Sequence, residues 1–170
     1  MQYSGKSSDQ LMSDFMDFIG NDRNLLKFIH NTPTEELAKT IMTEGLDYEN
    51  HLFYTADQVS GTDPVEVKYF RMIRKNYGDY TVVIEIGMEL IEYIAQKIKG
   101  YKHCYTEMLS KLPPRISPDG GSIYRLPEQF IKGYFDQKTG KKVLNPAFSP
   151  HIFLEIFDIN IHTLTAGGTK

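Results

Sequence analysis

Nine residues near the middle of the chain, DYTVVIEIG from Asp79 to Gly87, leave the backbone little choice. β-Branched side chains are stiff at χ1 and suit a pleated surface, and the run from Thr81 to Ile86 lies between two glycines, so a strand is predicted. Any fold open to this chain must therefore contain a sheet. Glu85 has the opposite parity to Ile84 and Ile86, which places it on the other face of that strand, and exposure to solvent is expected there.

The flanking sequence supplies helices and further strands. After Ser8, Leu11, Phe15, Phe18 and Ile19 recur at helical spacing, closed by Gly20 and a polar link. LLKFIH then reads as a buried strand. Thr34 is placed to cap a helix with Leu37, Ile41 and Met42 on its inner face and Gly45 at its end. HLFYTA, from His51 to Ala56, is a second short strand, and Asp63-Pro64 opens a helix with Val67, Phe70 and Ile73 facing inward. Leu90, Ile91, Ile94 and Ile98 mark another helix, from Met88 to Lys99. LPPRISPDGG reads as a loop. FIKGYFD and KKVLN flank QKTG as a hairpin, with Gly140 in the positive-φ position. HIFLEIFDINIHTL, rich in isoleucine and phenylalanine, reads as a closing strand. Helices alternate with strands early and strands dominate late, so the expected class is α+β, with a mixed or mainly antiparallel sheet arrangement.

Composition bounds the rest. A chain of 170 residues, 41% hydrophobic and 24% charged, can bury a core without disulfides or metals, and a single domain over 1–170 is expected. No apolar run approaches a membrane span, and MQYSGKSSDQ lacks the layout of a secretory leader, so a cytoplasmic protein without a membrane partner is expected. The lone Cys104 excludes an internal disulfide, and its neighbour His103 would point the other way on a strand, away from any catalytic pairing. Neither His51 nor His103 has a second ligand at metal-binding spacing, so no metal is expected. A formal net charge of -3 argues against general nucleic-acid binding, and Lys138, Lys141 and Lys142 read as a solvated turn. The glycine-rich phosphate loop, the dinucleotide-binding glycine fingerprint and the serine nucleophile elbow are all absent.

Three polar residues lie on strands at widely spaced points: His30 ends FIH, Tyr54 lies within LFYTA, and Glu128 begins PEQFIKGYF. With the capped helix that ends in EGL, this layout resembles the ADP-ribosyltransferase superfamily of the diphtheria-toxin and poly(ADP-ribose) polymerase type, over His30 to about Asp136. The resemblance implies NAD as substrate and transfer of ADP-ribose to an unknown acceptor, whether protein, nucleic acid or small molecule. Glu128 would be the catalytic carboxylate that stabilises an oxocarbenium-like state. Tyr54 would stack on nicotinamide, with Thr55 beside it. His30 would hydrogen-bond a ribose hydroxyl, and Asn31 and Thr32 would add further donors. Asn31 stands where the family often has glycine, and a side chain there reshapes the pocket. Each residue also has a plainer explanation: a strand-end histidine, one of 11 tyrosines, and a carboxylate on a strand's solvent side. The alternative is a non-enzymatic module that binds a protein or nucleotide on the same fold. A phosphotransferase would instead require convergence of Arg71, Arg74, Arg115 and Arg125.

Overall fold

The computed structural model describes residues 5–49, 78–97, 109, 110, 115, 116, 118, 120 and 122–168. The elements run α1 (Ser8–Ile19), β1 (Leu25–Thr32), α2 (Glu35–Glu44), β2 (Leu46–Glu49), β3 (Tyr80–Gly87), α3 (Met88–Lys97), β4 (Arg115–Ile116), β5 (Ser122–Leu126), a 3-10 turn (Glu128–Phe130), β6 (Ile131–Asp136), β7 (Lys142–Leu144) and α4 (Glu155–Gly168). Two sheets result, one ordered β1-β3-β6-β7 and the other β2-β5-β4. Every pairing is antiparallel. The class is α+β, as the alternation of patterns predicts.

β3 is central to the larger sheet, and its period of two divides the core. Val82, Ile84 and Ile86 join Phe28, Ala38, Leu90, Ile91, Ile94, Phe130, Ile131, Tyr134, Phe157 and Ile161 in the main cluster, on the face that carries α2. Val83 and Phe135 face the other way, against Phe15, Phe18 and Ile19 of α1. With helices on both faces, the central strand is buried along nearly its whole length. That overturns the expected exposure of Glu85. Its parity is as predicted, but α1 covers that face and the side chain is 0% exposed.

Thr34 caps α2 as expected, and α1 is capped one residue earlier than the Ser8 at which the sequence pattern starts. Ser7 Oγ accepts from the Gln10 amide at 3.1 Å, and Thr34 Oγ1 accepts from the Leu37 amide at 3.2 Å. Leu37 is nonetheless exposed, and Ala38 is the residue of α2 that is buried in the core, with Ile41 and Met42 partly buried beside it. Gly140, at φ +80°, turns the β6–β7 hairpin as expected. Between Val83 and Ile84 the partner residue in β6 jumps from Gly133 to Ile131, so Lys132 is extra and the strand bulges. Gly133 has φ +155°, and a Cβ there would lie 2.0 Å from the Val143 carbonyl oxygen, a position open only to glycine.

Other expectations fail as well. The closing segment is helix, because Leu154, Phe157 and Ile161 at spacings of three and four turn one side toward the main core. Phe157 packs 6.1 Å from Phe130 and 5.7 Å from Phe153 between ring centroids. That burial outweighs the modest helix disfavour of isoleucine. Glu128 begins a 3-10 turn rather than a strand: the Phe130 amide bonds the Pro127 carbonyl at 3.1 Å and drops Phe130 into the core before β6 starts. β2 and β5 form a second sheet that the hydrophobic pattern did not reveal, and the expected loop contributes β4 to it. The expected strand at His51–Ala56, the helix opened by Asp63-Pro64, and Ile98 lie outside the described residues.

Candidate functional site

β1 brings His30, Asn31 and Thr32 together in sequence but splits them between faces. His30 pairs with Val82, and Val82 with Tyr134, so the imidazole belongs to the α2 face. It is half-buried, and burial holds its pKa below the ordinary histidine value. The side chain is therefore neutral at pH 7 and suited to hydrogen bonding. Asn31 lies on the α1 face, 5% exposed. Gln137 Nε2 donates to Thr81 Oγ1 at 3.1 Å, and Thr81 Oγ1 donates to Asn31 Oδ1 at 2.5 Å. The chain of donors ends at Asn31 Nδ2, which is buried without a hydrogen-bond partner. Thr32 is buried at the strand end.

Glu128 lies elsewhere. Asn145 fixes its turn by donating from Nδ2 to the Glu128 carbonyl at 3.0 Å and to the Ile131 carbonyl at 2.9 Å. Its half-buried side chain is close enough to Arg125 to help keep that guanidinium charged. α2 crosses the sheet face between the two predicted functional ends. Near its first turn, Tyr134 Oη donates to Glu35 Oε2 at 2.7 Å, level with His30, while the Gly45 cap abuts the Leu126 carbonyl two residues before Glu128. His30 and Glu128 thus flank opposite ends of a ten-residue helix, roughly 15 Å long. Tyr54 and Thr55 lie outside the described residues.

Other charged residues are engaged locally. Arg115 and Arg125 do converge, on Asp47, at 2.5 and 2.8 Å. The hydrogen bond from Arg125 holds the Asp47 carboxyl below its ordinary pKa. Arg71 and Arg74 are outside the described residues. In the basic hairpin, Lys141 pairs with Glu35 at 2.8 Å and Lys138 with Asp79 at 3.2 Å. Among the described residues, no three His, Cys, Asp or Glu side chains gather to hold a metal, and no helix is long and apolar enough to cross a membrane.

Two features escaped the sequence reading. Lys27, Glu85 and Lys132 meet beneath the end of α1, with both ammonium groups near Glu85 Oε2, at 3.4 and 3.5 Å. The bulge at Lys132-Gly133 aims Lys132 there, and no local pattern announces a bulge beyond the glycine itself. The second feature is α4, whose approach and outer side carry Ile152, Ile156 and Ile159, exposed by 54%, 37% and 59%. Their spacing of four and three is present in the sequence, where the abundance of isoleucine and phenylalanine favours the strand reading. Searches of protein-family models, curated proteins and solved structures each found no match to this chain.

Proposed function

We propose that this chain is a protein-binding module, on an α+β scaffold of the ADP-ribosyltransferase-like kind, whose contact surface is the outer face of α4. The observation that carries this reading is the exposed row of Ile152, just before α4, and Ile156 and Ile159 on that helix, whose other side already fills the core with Phe157 and Ile161. A helix apolar on both sides ordinarily has both sides covered, and exposed apolar rows mark association surfaces. The test is quantitative co-purification with the intact chain and with an Ile156→Glu/Ile159→Glu variant as baits. A captured protein, once purified, should bind the variant at least about tenfold more weakly, the scale of losing one hot-spot contact. Identical recovery on both baits overturns the reading.

A transferase acting on NAD is the second reading. It draws support from the neutral, half-buried His30, whose state suits the ribose contact that the resemblance implies, and from Glu128 at the start of the turn that leads into β6. Incubation with nicotinamide-labelled NAD separates the two readings: the module releases no nicotinamide above the protein-free rate, whereas release abolished by Glu128→Ala establishes the transferase.

A further inference from the structure

α1 belongs to a core of its own. Among the described residues, its Phe15, Phe18 and Ile19 belong to the satellite cluster with Val83, Phe135 and Ile29, separate from the main cluster on the other face of the sheet. Its last turn is held by charge: Lys27 Nζ donates to the Ile19 carbonyl at 3.0 Å and Lys132 Nζ to the same oxygen at 3.3 Å. Cations at a helix C-terminus complement its dipole. Beneath them Glu85 is 0% exposed, its ion pairs are long, and its Oε1 has no hydrogen-bond partner. An ionised carboxylate in that position is poorly solvated.

We propose that α1 is a strap whose docking on the sheet is coupled to uptake of one proton by the Lys27–Glu85–Lys132 cluster. Lifting α1 exposes Glu85 to water, which favours the carboxylate; seating α1 removes that water and favours the neutral acid. Burial raises the Glu85 pKa despite the attraction of Lys27 and Lys132. The docked state therefore binds the proton more tightly, so acidification favours docking and a rise in pH favours release. The groups facing Glu85 are Lys27 from β1, Lys132 from β6 and the carbonyl end of α1. At the next same-face position of β3, Gly87 leaves room for the exposed Glu89–His151 pair, at 2.6 Å. Asp17 on α1 is exposed.

The test is hydrogen exchange of the α1 amides in the intact protein across pH, corrected for intrinsic exchange. Protection should fall as pH rises above the ordinary glutamate value of about 4.3, by at most about tenfold per pH unit. Glu85→Gln, a neutral stand-in for the protonated acid, should hold high protection without that slope. Constant protection in the wild type, or a wild-type slope in the variant, overturns the proposal. Should the variant fail to fold, the carboxyl ¹³C titration of Glu85 in the wild type decides: a midpoint above the ordinary glutamate value of about 4.3 supports the strap, and one at or below it overturns it.

Discussion

Gly133 and His30 show how much a single position determines. Replacing Gly133 with alanine forces a Cβ toward the Val143 carbonyl at an unfavourable φ, and we expect a loss of about 3 kcal/mol in urea unfolding. His30 is held neutral by burial, with its folded pKa below the unfolded value of about 6.5. Its contribution to stability is therefore present above that pH and lost as pH falls through the lower, folded value. A His30→Gln variant should lose this part of the acid sensitivity in denaturation curves taken between about pH 5 and 7.5; an unchanged pH profile would count against a buried, neutral imidazole. Glu85 acts in the opposite sense, since its raised pKa adds stability on acidification. The strand that carries His30 was legible from sequence, as was the positive φ of Gly140 in the hairpin turn, whereas the tight site of Gly133 was not. The parity of Glu85 was legible, but the burial of that face depends on α1 folding back over it, which no window around Glu85 records.

Elements with strong local signals were legible for reasons that can be tested one at a time. α1 and α2 begin where Ser7 and Thr34 offer an oxygen to an otherwise unpaired amide, so Thr34→Ala should cost about 1 kcal/mol in thermal or urea unfolding. β3 is a strand because its β-branched run permits little else. α4 was misread because isoleucines at mixed spacing satisfy both periods, and only the packing of Phe157 on Phe130 chooses between them. The two sides of this helix should behave differently on substitution. Phe157→Ala should destabilise the fold by about 3–5 kcal/mol, whereas Ile159→Glu should change stability by no more than about 0.5 kcal/mol. Equal losses would mean that the isoleucine row belongs to the core.

At the scale of the molecule, one antiparallel sheet separates two kinds of interior. The α2 side is a broad apolar core that anchors α3 and α4. The α1 side mixes a small apolar patch with Lys27, Asn31, Thr81, Glu85, Lys132 and Gln137, including two buried polar atoms without partners. Such groups weaken the docking of α1 relative to the rest of the fold. Among the described residues, the exposed isoleucines on and just before α4 are the large apolar side chains this arrangement leaves outside both interiors near its C-terminal helix. The central claim is that the chain works through that row. Quantitative co-purification with the intact chain and the Ile156→Glu/Ile159→Glu variant tests it most directly: a binding protein whose affinity falls at least about tenfold on the variant is the predicted result, and indistinguishable recovery on both would contradict it.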